Sequence, residues 1–357
     1  MKRLLGLLLV SATLSIAAPA QACACGGLVD QPGGNTSVSS ERAVLVWDGT
    51  SETILLRLST SSEAVNAGLI VPTPTPATVE LGDEQVFTDL AGVTAPRTEE
   101  RRHLFGPPLL FGGGGGDGAS AGGPGGAGVT VLGTVDLGPL RATTLSAADA
   151  VALESWLQDN RYQTSPALTE AVQPYVDEGW SFVAVQLNAV GQTLEGALPP
   201  IAMTFASDEA VYPMRMSSAA EQTQQPVVYV LAEHRMQRTD PVASGSTRPD
   251  VAFAGPVSPG EVAAPALKDW LVTTPYLTAT SQWLPDPGQI VTDFTFARAP
   301  DDEPFQQVLY DDTYVLPGDI GAALILLLIA GAVWLTVRLV RRRPVAEPLL
   351  ARLRDSP

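Results

Sequence analysis

Between Ile320 and Val337 the chain runs for 18 residues without a charged side chain, and Arg338, Arg341, Arg342 and Arg343 follow at once. About 20 apolar residues suffice for a helix to cross a bilayer. Leu339 and Val340 extend the run to residues 320–340, since the long side chain of Arg338 reaches the interface while its backbone stays in the span. Asp319 and an acid-rich stretch stand at the other end. Positive flanks stay cytoplasmic, so the pattern predicts one transmembrane helix, a basic cytoplasmic tail over 341–357, and a long N-terminal part outside. A buried helix of a soluble domain has no need of four arginines at one end.

The opposite terminus fits the same placement. Lys2 and Arg3 precede an apolar run from Leu4 to Ile16, Pro19 breaks it, and Ala20-Gln21-Ala22 supplies small residues where a signal peptidase cuts. The apolar core is too short to span a bilayer. Residues 1–22 are therefore expected to be a signal peptide, and residues 23–319 an extracytoplasmic domain.

That domain carries 36 acidic against 13 basic side chains, in a chain of net charge −17. Such a surface repels nucleic acid and anionic lipid, which removes both as expected partners. The two cysteines, Cys23 and Cys25, flank one alanine at the expected mature N-terminus. Export permits a disulfide, though a C-x-C loop is tight for one. Lipidation of Cys23 and a metal site completed by other residues remain alternatives.

Along the domain, Glu41–Asp48 and Thr53–Leu58 read as strands joined at Asp48-Gly49, a hairpin signal because glycine accepts the positive φ of a tight turn. Ala67–Val71 is strand-like and runs into a proline-punctuated exit, and Glu84–Leu90 has room for a short helix. Residues 105–128 are glycine-rich and low in complexity, a flexible loop rather than a phosphate cradle, since no Lys-Ser or Lys-Thr follows. Strand-like sequence then runs to Leu145. Two helices are expected next, Ala147–Asn160 capped by Ser146 and another from Ser165-Pro166, with Pro174 kinking or ending the second. Further strands are expected at Trp180–Leu187, Ile201–Phe205, Val211–Met216, Val227–Ala232 and Ile290–Phe296. Residues 235–260 show little periodicity, Leu267–Leu271 fits one helical turn, and 235–319 reads as an irregular membrane-proximal part. The fold class is α+β: a β-rich extracytoplasmic domain with two short helices and a glycine-rich loop, plus one C-terminal transmembrane helix.

The order of landmarks resembles an uncharacterised bacterial domain-of-unknown-function family, DUF2330. The landmarks are Cys-Gly-Gly near the start, Glu41-Arg42 leading a strand, Val71-Pro72, and the segments Ala152–Leu157, Tyr175–Phe182 and Val211–Met216. They cover roughly Cys23 to His234. The resemblance implies export and brings no catalytic residue with it.

Chemistry is sparsely signalled. His103 lies among Glu and Arg residues beside the glycine-rich loop, and His234 lies between Glu233 and Arg235; both read as ordinary surface side chains. Neither an S-x-x-K motif nor a histidine-pair zinc motif is present. The acidic pairs Asp83-Glu84, Asp177-Glu178, Asp208-Glu209 and Asp311-Asp312, with the run Asp301-Asp302-Glu303, read as solvated charge. Trp47, Trp156 and Trp180 are expected in the core, with Trp270 and Trp283 nearer the surface. No catalytic, cofactor or metal residue is assigned. The leading reading is a single-pass, membrane-anchored binding or structural module of the cell envelope, with an envelope protein or polymer as partner. The alternative is an exported hydrolase acting on wall polymer or peptide through carboxylates.

Overall fold

Several strands are apolar at consecutive positions, as in Val44-Leu45-Val46, Leu69-Ile70-Val71 and Phe182-Val183-Ala184-Val185. A strand covered on one face alternates; a strand covered on both does not. The computed structural model describes residues 21–23, 26–105, 130–138, 140–146, 153, 157–163, 165–189, 193–316 and 318–341. In it these strands are covered on both sides.

In chain order the first strands are β1 Gln21–Cys23, β2 Gly26–Asp30, β3 Ser37–Trp47, β4 Ser51–Ser61, β5 Asn66–Thr73, β6 Thr78–Leu81 and β7 Arg97–Phe105. There follow β8 Thr130–Leu137, β9 Leu140–Ser146, β10 Ser181–Asn188, β11 Gly196–Ala197, β12 Ile201–Ala206 and β13 Ala210–Tyr212. The last are β14 Val227–Ala232, β15 Met236–Arg238, β16 Asp250–Pro256, β17 Tyr276–Ser281, β18 Phe294–Arg298, β19 Phe305–Gln306 and β20 Val308–Leu316. The helices are α1 Glu84–Val93, α2 Pro166–Asp177, α3 Pro265–Trp270 and α4 Gly318–Arg341.

The described residues fall into two compact units. In the larger, one sheet has the order β1-β2-β5-β10-β9-β8, and a second runs β19-β16-β17-β14-β3-β4-β12-β6 with β11 beside β4. Every pair is antiparallel except β3 with β14, where Arg42–Val46 run beside Val227–Leu231. A small third sheet, β13-β18-β15, adds to the layer between them. The two large sheets meet through alternate residues: Ala43, Leu45, Val228 and Val230 from one, Leu69, Val71, Val183 and Val185 from the other. The intervening residues point outward under helices. Val44, Val46, Tyr229 and Leu231 are capped by Val86, Phe87 and Leu90 of α1 and Leu267 of α3. Ile70, Phe182 and Ala184 are capped by Leu168, Val172 and Tyr175 of α2. The result is four layers, helix–sheet–sheet–helix. The smaller unit holds the parallel pair β7·β20 and the helix α4.

Local chemistry sets several element ends. Gly49 takes φ +97 between β3 and β4, and the Asp48 carboxylate accepts from the Thr50 and Ser51 amides at 2.9 Å. Asp83 caps α1 and Ser165 caps α2 through side-chain acceptors. The Cys-Gly-Gly segment also has a steric reason. A Cβ on Gly26 would lie 2.3 Å from the Ile70 carbonyl oxygen, and one on Gly27 would lie 2.3 Å from Leu168 Cδ1. Only glycine lets β2 lie this close to β5 and α2.

The coarse expectation of a β-rich fold with a few helices and an apolar C-terminal helix is met, with corrections. α1 and α3 form where Glu84–Leu90 has room for a short helix and Leu267–Leu271 fits one helical turn, and they stand beside the two helices of the middle region. Of Ala147–Asn160, Leu153 and Leu157–Asp159 are helical, and most of the rest lies outside the described residues, as does nearly all of the glycine-rich segment. α2 continues through Pro174 for three more residues. The strand expected over Val211–Met216 stops at Tyr212; Pro213 follows, and Arg215–Ala219 form a 3₁₀ turn. Residues 235–260, read as irregular, contribute β15 and β16. The strand expected from Ile290 starts only at Phe294.

Candidate functional site

On β17, Leu277 and Ala279 pack toward the helices of the outer layer. The two-residue period of a strand therefore turns Thr278 and Thr280 to the opposite face, where β15 approaches and the Met236 amide donates to Thr278 Oγ1 at 3.2 Å. Here lies a cavity of about 370 Å³. Met236, Val251 and Phe296 supply apolar wall, while Arg235, Arg238, Arg248, Thr278, Thr280 and Asp301 supply the polar groups.

The three arginines are in different states. Arg238 is buried with Asp240, which accepts from its Nε and Nη2 at 2.5 and 2.6 Å. Its Nη1 donates to Gln282 Oε1 at 3.0 Å, and its guanidinium lies flat on Phe294, 3.3 Å from the ring centroid. This cation is neutralised and fixed. Arg235 donates through Nη1 to the Glu303 carbonyl at 2.9 Å and stands 3.7 Å from Asp301. Arg248 is exposed and has no hydrogen-bond or ion-pair partner among the described residues. Thr280 is 5 % exposed, and its Oγ1 is buried without a hydrogen-bond partner among the described residues.

Beside this cleft, Asp302 accepts from the Arg235 amide at 2.9 Å and pairs with His234 Nδ1 at 2.9 Å. That amide, followed by His234, holds the Asp302 carboxyl below its ordinary range. A carboxylate behind a histidine is half of a nucleophile-activating relay. The other ring nitrogen, Nε2, faces the Glu233 carboxylate at 3.7 Å rather than a hydroxyl or thiol. The imidazole thus sits between two acids, with neither ring nitrogen directed at a nucleophile.

Two further polar groups are deeply placed. Asp293, 8 % exposed, accepts from Tyr175 Oη at 2.5 Å, from the Met214 and Arg215 amides at 2.7 and 2.9 Å, and from Arg215 Nε at 2.7 Å. Arg215 also grips Glu178 and lies over Tyr175, 4.2 Å from the ring centroid. Burial, then the nearby Asp293 charge, pushes the Tyr175 hydroxyl well up. Every strong donor here is answered from within the protein, so the cluster fastens α2 to the 3₁₀ turn at Arg215 and to the segment before β18 rather than presenting a reactive group. Glu52 on β4 is wholly buried; one oxygen accepts from the Val211 amide at 3.0 Å and the other has no partner among the described residues.

Burial raises the Glu52 carboxyl well above its usual range. The folded state therefore binds a proton that the unfolded chain has released, and stability falls as pH rises from the ordinary carboxylate range, near 4.3, through the raised folded value. Glu52→Gln keeps an acceptor for Val211 and removes the titration. Its melting temperature relative to wild type is expected to rise between pH 5 and pH 8. An unchanged difference at the two pH values would contradict the assignment.

The residues singled out in the sequence scatter widely. Cys23 lies in β1, its backbone paired with Gly26, and Cys25 is outside the described residues. Arg338 and Arg341 end α4, and Arg342 and Arg343 are outside the described residues. His103 pairs with Asp312 at 2.8 Å across β7·β20. The acidic pairs divide among roles: Asp83 caps a helix, Glu84 meets Arg57 at 2.6 Å, Glu178 binds Arg215, and the 301–303 run gathers beside His234 and Arg235. Trp47 and Trp180 are half-buried, Trp270 packs partly against the helix-side core, Trp283 is exposed, and Trp156 is outside the described residues. The arginines of the cleft carried no local signal, since Arg235, Arg238 and Arg248 converge only once β15 and the loop before β16 are folded.

No curated protein and no solved structure matches the chain. One family model does, over residues 19–297, a span that takes in the Asp293 cluster and the cleft lining as far as Phe296, with Asp301 beyond it. The chain belongs to the DUF2330 family, described as an uncharacterized protein conserved in bacteria.

Proposed function

We propose that the chain is a single-pass membrane protein of the cell envelope whose four-layer unit stands outside the cytoplasm and acts as a binding module. The observation that carries the anchoring is α4. Its residues 323–341 have a mean hydropathy of 2.4 and none of that stretch is buried, with Leu326, Leu327, Leu328 and Ile329 each more than half exposed. A helix apolar on every side finds its partner in lipid. Arg338, over the Trp334 ring at 5.0 Å, and Arg341 close its C-terminal end, a basic flank that supports a cytoplasmic orientation of that end. The signal-like N-terminus and the acidic excess of residues 23–319 support the same orientation.

Binding is favoured over hydrolysis by the state of the polar groups. His234 lies between carboxylates, and Asp293 and Arg238 are saturated, whereas Arg248 and Thr280 Oγ1 retain bonding capacity. The experiment is protease treatment of intact cells expressing the chain with a C-terminal tag. Digestion of the four-layer unit with survival of a short tagged fragment is expected; loss of the tag with an intact unit would reverse the orientation.

A further inference from the structure

We propose that the cleft between β15, β18 and β17 takes a small ligand through an oxyanion, a carboxylate or a phosphate, bound by Arg248 and Arg235 with Thr280 Oγ1 as a further hydrogen-bond donor. The proposal deepens the binding-module reading and rests on it. Three arguments carry it. First, three arginines line one cavity in a chain of net charge −17, and Arg298, 3.9 Å from Asp302, stands close to its rim. Scattered solubilising charge does not concentrate the scarce sign in this way. Second, the cations are graded. Arg238, paired and stacked, is rigid wall; Arg235 has one Nη engaged by a carbonyl and near Asp301, leaving other N–H groups available; Arg248 is unpaired among the described residues. A guanidinium presents parallel N–H donors that match the two oxygens of a carboxylate or phosphate. Third, a buried hydroxyl without a partner is costly, and Thr280, whose Oγ1 is buried with no hydrogen-bond partner among the described residues, is one of the residues lining this cavity. An acceptor arriving in the cleft offsets that cost. The volume, about 370 Å³, is in the range of small-molecule sites, and Met236, Val251 and Phe296 offer an apolar surface to the body of the ligand. Asp301, facing the same space, disfavours a second negative charge deep in the cleft.

The test is calorimetric titration of the detergent-solubilised full chain with benzoate, phenyl phosphate and the neutral benzyl alcohol, which share an apolar ring. Binding of benzoate or phenyl phosphate, weakened at least tenfold by Arg248→Ala and by high salt, and absent for benzyl alcohol, is expected. The preferred arm identifies carboxylate or phosphate as the source of the oxyanion. Thr280→Val supplies a readout that a merely structural threonine would not give: it should weaken anion binding while raising the melting temperature of the free protein, because it removes the orphaned hydroxyl. Arg141→Ala, on the remote β8–β9 hairpin, should leave binding unchanged. Equal binding of the neutral probe would overturn the oxyanion assignment and leave the binding-module reading standing. No binding of any probe, or anion binding indifferent to Arg248→Ala, would overturn the site itself; neither result bears on the anchor, which the protease experiment tests.

Discussion

Replacing Asp293 with alanine is expected to destabilise the four-layer unit by about 3–5 kcal/mol, the range for removing one partner of a buried charged pair. The substitution takes the acceptor from the Tyr175 hydroxyl, from two backbone amides and from Arg215 Nε. Glu178 still holds the outer edge of Arg215, so the guanidinium keeps a counter-ion while the inner donors lose theirs. Asp293→Asn keeps an acceptor in place and should cost about 1–2 kcal/mol, the value of hydrogen bonds that change from charged to neutral. A typical domain has 5–15 kcal/mol in all, so the alanine variant should unfold at much lower denaturant concentration. Urea titration followed by tryptophan fluorescence measures this, and Trp180, its ring 4.9 Å from Tyr175, reports on the site directly. A loss below about 1 kcal/mol for alanine would mean that water replaces the carboxylate.

The second large effect concerns α4. On the insertion scale an arginine near the centre of a membrane helix costs about 2.5–3.5 kcal/mol, whereas leucine or isoleucine contributes about −0.3 to −0.6. The double substitution Leu326→Arg, Ile329→Arg should therefore shift insertion by about 6–8 kcal/mol. The chain is expected to move from the carbonate-resistant membrane pellet to the soluble fraction. If it stays in the pellet, attachment comes from elsewhere, and an acylated Cys23 becomes the next candidate, visible as added mass on the intact protein.

How much of this was legible beforehand follows from the range of the forces. Asp48-Gly49, Ser165-Pro166 and the apolar run 320–337 are local signals, and each marks a turn, a helix start or a helix where the structure has one. The strand Val227–Ala232 was equally plain, because burial on both faces leaves an unbroken apolar run, and so was Ile201–Phe205, where Ile201, Met203 and Phe205 alternate as the buried residues. Which sheet covers which was not legible, since Val71 and Val183 look alike from the chain and differ only in what lies across from them. β15 and β16 escaped because one is three residues long and the other has a bulge between Val251 and Phe253 that breaks its period. β7 escaped because its residues are mostly charged and pair only with a strand far along the chain. Asp293 was missed because attention fell on adjacent acids. The available signal was the reverse, a lone acid inside the alternating run Ile290–Phe296, where a carboxylate must be answered by donors or expelled.

The parallel pair β3·β14 has a kinetic consequence. Strand β3 pairs on one edge with β4, the next strand in the chain, but its other edge is completed only by Val227–Leu231, which follow every strand of the six-stranded sheet and α2 in sequence. Closing so long a loop is entropically slow, and β-sandwich topologies of this kind fold in milliseconds to seconds rather than microseconds. Throughout that interval Ala43–Val46 present a bare apolar edge to any other strand in reach. The nascent chain is thus most prone to aggregate in the time between synthesis of β4 and synthesis of β14, and a holding chaperone that covers that edge would raise the yield of folded protein more than one acting on the finished chain.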